Sequence, residues 1–530
     1  MRQIHSSAWI LVLLSTVLQV LIFPLPGIYI LCWFALTPLI IALLRARPAG
    51  ALEVEGSPRL QAATPLQGFV LAYVCGIIWY AGTCYWIFGT MRNYGGLNGA
   101  AALLVLFLFC CYLGLYHGLF GLLVALVARR RNDRGALVLA PFLWVGVELA
   151  RTRITGFPWN LLGIAQVDNI ALSRIASWTG VYGISFEILL VNIALAAAFL
   201  IPRQKRNTML IAGIAAAAVL QAGRLVEPPP AIADRAALLV QQNIPVSADW
   251  TPGYYQETLS DLSRLTLSSA RNARSKIDLI VWPESPAPFF TNEPHFREAV
   301  SNLARESDVP LVTGAIGSNA ATVNTEGALF NSAVLVSANG EWQARYDKSH
   351  LVPFGEYLPF PGLFSFAGGL TREVGQFEHG TSRVPLDAAG QRLGTFICYE
   401  SIFPDEVRQF ARNGAEVFVN ISNDGWYGDS GAYAQHLNQT RMRAVENERW
   451  ILSSTDTGVT ASIDPFGRVA ARLARKERAT LVAPYALTFV TTFYARHGDW
   501  FAYACAIISI GALLARFVSP NIRKKAEASS

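Results

Sequence analysis

Eight apolar runs dominate the chain, at roughly 8–23, 28–44, 66–88, 101–127, 136–150, 182–201, 209–222 and 501–518. Runs of about 20 apolar residues match the hydrocarbon thickness of a bilayer, and no single water-soluble core could bury so many. The composition agrees, with 52% apolar and only 15% charged residues, where a soluble domain carries about a quarter. The fifth and seventh runs are short. The first is followed within a few residues by another apolar run, so it reads as a retained anchor and not a cleaved signal. The chain is therefore expected to be a polytopic membrane protein of about eight transmembrane helices.

The cations set an expected orientation. Arg45, Arg47 and Arg59 follow the second run; Arg129, Arg130, Arg131 and Arg134 the fourth; Arg203, Lys205 and Arg206 the sixth; Arg516, Arg523, Lys524 and Lys525 the eighth. Against these fourteen, the alternate loops hold four: Arg92, Arg151, Arg153 and Arg174. The positive-inside rule then puts both termini in the cytoplasm and the long polar region after the seventh run on the outer side. The net charge of +6 sits mostly between apolar runs, which is topology and not the footprint of a nucleic-acid binder. Glu148, Arg151, Arg153 and Glu187 lie in or near spans, where charge is costly and marks either function or snorkelling to the interface. Gly156-Phe157-Pro158-Trp159-Asn160 reads as an interfacial aromatic anchor.

Pro228-Pro229-Pro230 is a stiff linker. Beyond it the pattern changes to short strands alternating with amphipathic helices. Strands are expected at 237–241, 277–282, 310–315, 332–336, 342–346, 393–398, 416–421, 451–454 and 460–463, with a hairpin turn at Asn339-Gly340. Helices are expected at 254–274, 295–305, 404–411 and 433–446. This alternation argues for an α/β domain with a large mixed sheet or a sandwich. The expected organisation is a transmembrane domain over 1–223, a linker over 224–235, a catalytic domain over 236–486, and a final span with a short tail over 487–530.

Six of the seven cysteines lie in apolar runs, where Cys behaves as a small hydrophobe. Cys398 is the exception. It ends the apolar strand of Phe396-Ile397-Cys398-Tyr399-Glu400-Ser401, where an α/β sheet presents side chains to a ligand. A thiol attacks a carbonyl well only as thiolate, so it needs a base. Glu284, in Val281-Trp282-Pro283-Glu284-Ser285, stands at the rim of an apolar strand and suits a general base. Lys348, in Tyr346-Asp347-Lys348, closes a hairpin where a fixed ammonium can hold an oxyanion. Glu356 can anchor it by charge. Singly, each has a plainer reading: a buried structural cysteine, a surface glutamate, a solvated lysine. Together, on three strand ends, they point to acyl chemistry. No CxxC and no His/Cys cluster with metal-ligand spacing is present, so no metal is expected.

The region from about Ala236 to Pro484, with Trp-Pro-Glu-Ser, Tyr-Asp-Lys and Cys-Tyr-Glu, resembles the nitrilase (carbon–nitrogen hydrolase) superfamily. With seven spans before it, one after it, and Pro353-Phe354-Gly355-Glu356-Tyr357, the whole chain resembles the apolipoprotein N-acyltransferase family, its membrane-embedded branch. That resemblance implies an αββα sandwich on the periplasmic side of a bacterial inner membrane. It implies Cys398 as nucleophile, Glu284 as base and Lys348 as oxyanion stabiliser. By the same likeness Glu356 and Glu400 support the site, Tyr399 follows the nucleophile, and Trp250 borders the substrate groove. Asn420, Ser422 and Trp426 fall in the family-like stretch Val-Asn-Ile-Ser-Asn-Asp-Gly-Trp-Tyr. The implied partners are a phospholipid acyl donor, phosphatidylethanolamine by likeness, a diacylglyceryl apolipoprotein acceptor, and membrane lipid. No cofactor is implied.

Two rivals share these motifs: a tethered amidase acting on a small C–N substrate, and a non-catalytic envelope scaffold. Eight spans argue against the first and the intact Glu, Lys and Cys against the second. Finally, the uncharged run around Phe360, Leu363, Phe364 and Phe366, with glycines at 362, 368 and 369, reads as a lipid-facing arm beside the groove.

Overall fold

The computed structural model describes residues 3–48, 60–129, 132–200, 203–228, 230–319, 327–357 and 377–527. Phe360, Leu363, Phe364 and Phe366, the expected lipid-facing arm, lie outside the described residues. Two compact units form: one from residues 1–85, 103–227 and 499–530, the other from 86–102 and 228–498.

The first unit is helical. Five helices in the described residues are long and apolar enough to cross a membrane: Pro65–Thr83, Gly99–Ala128, Asp133–Thr155, Val181–Leu200 and Lys205–Leu225. Shorter apolar helices occupy Ser6–Ile22, Tyr29–Leu44 and Trp500–Ala515. All eight apolar runs thus form helices, the eighth within the 28-residue helix Trp500–Glu527, while the first two fall below the length that marks a full crossing. The second run is also broken, into a 3-10 turn at Tyr29–Trp33 and a helix at Thr37–Leu44. Asn192, fully buried in the Val181–Leu200 helix, repairs the break. Its Oδ1 accepts from the N–H groups of Leu36 (2.9 Å) and Thr37 (3.0 Å), and its Nδ2 donates to the Cys32 carbonyl (2.8 Å). Backbone freed from a helix at membrane depth requires such partners.

Close helix contact rests on small residues. A Cβ at Gly68 would stand 2.5 Å from the Gly121 carbonyl oxygen, and one at Gly121 would collide with the Gly68 carbonyl oxygen. Backbones approach this closely in lipid only where both sides lack a side chain.

Of the two readings open for Arg151, snorkelling does not hold: it is 4% exposed and donates to the Tyr80 hydroxyl at 2.6 Å, with its guanidinium over the Trp79 and Tyr80 rings. The interfacial-anchor expectation does not hold for Trp159, which is fully buried inside the unit with Asn160, while Gly156 and Phe157 of the same turn stay partly exposed. A run of apolar aromatic residues cannot by itself distinguish helix neighbours from lipid headgroups. Arg153 does find a partner, Asp499 at 2.5 Å.

The second unit is a four-layer sandwich. Its strands are β1 (Arg235–Gln241), β2 (Leu279–Val281), β3 (Leu311–Ser318), β4 (Leu329–Val336), β5 (Trp342–Asp347), β6 (Leu386–Ala388), β7 (Gln391–Ile397), β8 (Val417–Ser422), β9 (Ile451–Thr455), β10 (Ala461–Ile463), β11 (Val469–Arg472) and β12 (Ala479–Tyr485). They form two six-stranded sheets, ordered β12-β1-β2-β3-β4-β5 and β11-β10-β9-β8-β7-β6. In each, three central strands run parallel and the outer pairings are antiparallel.

Side-chain alternation explains the layering. Along β1, Ala237 and Leu239 enter the core between the sheets, while Ala236, Leu238 and Val240 face the helices outside. A strand buried on both faces reads as a continuous apolar run. Helices Pro252–Asn272 and Pro294–Ser307 cover the first sheet through Leu259, Leu262, Phe296 and Val300. Helices Pro404–Arg412 and Ala432–Asn447 pack on the second through Val407, Phe410 and Ala444. β6, β11 and β12 had no counterpart among the expected strands. β11 is exposed on alternate residues, and β6 has only three residues, too little pattern to register as a strand.

Candidate active site

Four strand ends converge. Glu284 lies three residues beyond β2, Lys348 directly follows β5, Cys398 directly follows β7, and Asp424 lies two residues beyond β8. Parallel central strands place their carboxyl ends on one edge, where open α/β sheets build sites.

β7 stops one residue earlier than the sequence pattern indicates. Cys398 instead opens the 3-10 turn Cys398–Ile402 with φ +49°. A residue with a Cβ meets steric resistance in that left-handed region, and the conformation persists only where the surroundings over-determine it. Glu400 is one such constraint. Its Oε2 accepts from Ile397 N–H (2.7 Å), and its Oε1 from Ser349 N–H (2.7 Å), His350 N–H (3.1 Å) and the Tyr346 hydroxyl (2.7 Å). One buried carboxylate thereby locks the turn after β7 to the turn after β5. Burial still raises its pKa above the ordinary range, against those donors.

Lys348 is 1% exposed and sits between two carboxylates, 3.2 Å from Glu284 Oε1 and 2.9 Å from Glu356 Oε1. Burial opposes its charge, but Glu284 and Glu356 prevail and hold the ammonium well above its ordinary pKa. Asn331 on β4 bridges the same two oxygens, donating at 2.7 and 2.6 Å. Glu284 Oε2 accepts from Asn423 N–H at 2.8 Å, and Glu356 Oε2 from Val352 N–H at 2.7 Å. Burial pushes the Cys398 thiol well above its ordinary pKa; Glu284 adds to this and Lys348 opposes it. The surroundings of Cys398 thus favour the neutral thiol over the thiolate.

Gly314 on β3 makes room for Glu284. A Cβ there would lie 2.5 Å from Pro283 O and Ser285 N and 2.8 Å from Glu284 Cα. Gly314→Ala is expected to push the Glu284 backbone off its position, costing roughly 1–3 kcal/mol of stability. Activity should fall further than the lost fraction of folded protein. Thermal unfolding and activity measured on one preparation check this; equal activity per folded molecule would contradict it.

The remaining expected residues divide. Ser422 joins the centre: it lies beside the Cys398 thiol and donates to Asp424 at 2.7 Å. Tyr399 is buried, its ring edge-on to Phe403 at 5.2 Å. Asn420 turns to the sheet, donating to Phe396 O (3.3 Å) and accepting from Ser453 (3.1 Å), so it ties β8 to both neighbouring strands. Trp250 is half-buried beside Tyr254, ring centroids 5.2 Å apart, against the core of the first sheet. Trp426 sits on the turn Asp424–Tyr427, where its carbonyl accepts from Thr90 (2.8 Å) and its ring meets Tyr94 edge-on at 5.3 Å.

Sequence reasoning missed Asn331, Asp424 and His436. Asn331 carries a signal, a lone amide inside the apolar run 329–336. His436 carries none, because nothing local marks which face of its helix meets Cys398. Cys398, Asp424 and His436 bring possible ligand atoms within 4.8 Å of one another. His436 Nδ1 is engaged with Asp424 (3.1 Å) and Nε2 with the Cys398 carbonyl (3.1 Å) and Ser401 (2.8 Å). Those groups are engaged with each other, so hydrogen bonding accounts for the cluster.

The double-sheet sandwich, with Glu284, Lys348 and Cys398 buried at its strand ends, is a domain of the carbon–nitrogen hydrolase class. Residues 235–493 match the family model described as carbon-nitrogen hydrolase, and residues 15–194 match the apolipoprotein N-acyltransferase N-terminal domain. The chain is 36% identical over 509 residues to the apolipoprotein N-acyltransferase of Geobacter metallireducens, covering 94% of this chain and 93% of that one. It is 31% identical to those of Shewanella oneidensis, over 81% and 83% of the two chains, and of Bordetella bronchiseptica, over 89% and 92%. This chain belongs to the apolipoprotein N-acyltransferase family, and it is a membrane-borne acyltransferase of lipoprotein biosynthesis.

Proposed function

We propose that Cys398 carries an acyl chain from a phospholipid, phosphatidylethanolamine by family likeness, to the N-terminal amine of a diacylglyceryl-cysteine on an apolipoprotein. The observation that carries this reading is the Lys348 ammonium buried between Glu284 and Glu356 beside the buried Cys398 side chain. Glu284 takes the thiol proton and the sulfur attacks the ester carbonyl. Lys348 stabilises the oxyanion. The carbon–oxygen bond breaks, the lysophospholipid alcohol leaves with the proton from Glu284, and a thioester remains. The lipoprotein amine then attacks that thioester. A carbon–nitrogen bond forms, the carbon–sulfur bond breaks, and Glu284 accepts the amine proton before returning it to sulfur. One site serves donor and acceptor in turn, which gives ping-pong kinetics.

Intact-mass analysis after incubation with phospholipid tests the proposal. A mass gain of one acyl chain, mapped to Cys398 and discharged by an amine acceptor, is the expected result. Discharge to water alone would favour an amidase-like hydrolase, and an unmodified chain would favour a scaffold.

The proposed topology has eight spans, cytoplasmic termini and the sandwich on the periplasmic side of the inner membrane, with membrane domain 1–223, linker 224–235, catalytic domain 236–486 and a last span within 487–530. Support comes from the loop cations and from apolar helices at every run. Asn339 is exposed at a hairpin turn. An Asn339→Cys variant should react with an impermeant maleimide from the periplasmic side of intact cells. Labelling only after the inner membrane is opened would reverse the topology.

A further inference from the structure

The strained conformation of Cys398 needs more than Glu400 to hold it. Glu400 reaches the Phe396–Ile397 peptide, one removed from Cys398, through Ile397 N–H. The carbonyl of Cys398 itself is met from the other side by His436, on the helix Ala432–Asn447. Its Nδ1 faces a carboxylate oxygen of Asp424 at 3.1 Å, and its Nε2 faces the Cys398 carbonyl at 3.1 Å. Both are acceptors, so the ring meets each of them by donating, and with hydrogen on Nε2 it donates to the Cys398 carbonyl. Burial works against an imidazolium here, but Asp424 and the Cys398 carbonyl outweigh it and raise the His436 pKa. Ser401 Oγ, 2.8 Å from Nε2, can share the same hydrogen. Asp424 is held in turn: Ser422 donates to it, and Gly458 leaves space where a Cβ would collide with Asp424 Oδ2. All three side chains, Asp424, His436 and Ser401, are at least nine-tenths buried.

A plain buried histidine would be satisfied by any core partner. This one ends on the main chain of the residue with the unfavourable φ. A bond to that carbonyl fixes the peptide plane leaving Cys398, and with it the direction in which Cα projects the thiol.

We propose that Asp424 and His436 form a positioning dyad: the imidazole, oriented by Asp424, clamps the Cys398 carbonyl and keeps the thiol aimed at Glu284 and Lys348. The assignment of Cys398 as nucleophile underlies this role. The dyad touches neither donor nor acceptor. It acts by lowering the number of backbone conformations open to the nucleophile, so removing it slows every reaction of Cys398 by a similar factor.

The test uses the full-length chain in detergent and two readouts. One is alkylation of Cys398 by iodoacetamide, followed by peptide mass; the other is single-turnover acylation by phospholipid. His436→Leu should lower both rates roughly 10- to 100-fold, the range for losing a group that orients a reactive one, with the final extent still one modification per chain. Asp424→Asn should do the same while preserving volume, and it decides the question if the leucine variant does not fold. The double variant His436→Gln with Asp424→Asn restores a donor toward the carbonyl and lets the two new amides pair donor to acceptor, so it should react faster than either single variant. Rates within about threefold of the parent in both single variants would overturn the proposal. So would a reduced final extent with an unchanged rate, the mark of partial unfolding, or a double variant no faster than the singles. Alkylation requires no lipid. A parent protein that alkylates but does not acylate would sink the acyl-transfer reading and leave the dyad standing.

Discussion

Cys398→Ala is expected to abolish both the thioester and N-acyl transfer, with no measurable residual turnover. The other six cysteines cannot substitute. They belong to the helical unit, five of them are buried, and none is joined to a carboxylate and an ammonium as Cys398 is. Ser401, three residues on, is engaged with His436. The fold should survive, because the side chain removed is small and the turn is held by Glu400 through backbone N–H groups. The measurement is intact mass after incubation with phospholipid, beside thermal unfolding of the same sample. An acyl group trapped on another residue of the variant, with turnover retained, would show that Cys398 is not the nucleophile.

Lys348→Met is expected to act on rate and stability together. Losing one oxyanion donor costs roughly two to three decades in the acylation rate. From sequence alone the substitution would be judged harmless to the fold, since a lysine at a hairpin end is ordinarily solvated. The structure changes that expectation. Methionine would leave Glu284 and Glu356 buried around Asn331 with no cation between them. Removing one partner of a buried ion pair typically costs about 3–5 kcal/mol. Single-turnover thioester formation and urea unfolding should therefore both shift. A rate within about threefold of the parent would remove Lys348 from the chemistry; an unchanged unfolding midpoint would mean that Glu284 and Glu356 do not depend on it. Lys348→Met with Glu356→Gln separates the two effects, because it removes one stranded carboxylate and should regain stability without regaining rate.

Local pattern determined much of this protein. Apolar runs became helices because run length and solvent are matched by backbone hydrogen bonding alone. The nine expected strands and four expected helices of the second unit appear within a few residues of their expected limits, because period-2 and period-3.6 burial are written locally. Glu284 and Cys398 were legible because each stands where an apolar strand stops, and Lys348 because it closes a hairpin. The tertiary structure decided what those residues do to one another. Sequence spacing carries no information about which strand ends adjoin, so Asn331 bridging two carboxylates, and His436 reaching the Cys398 carbonyl across 38 residues, came only from the packing of two sheets and a helix. The same holds in the helical unit, where Asn192 repairs a helix broken 155 residues earlier and Arg151 is buried against Tyr80. A polar side chain in an apolar run announces that it needs a partner; only the folded chain supplies which one.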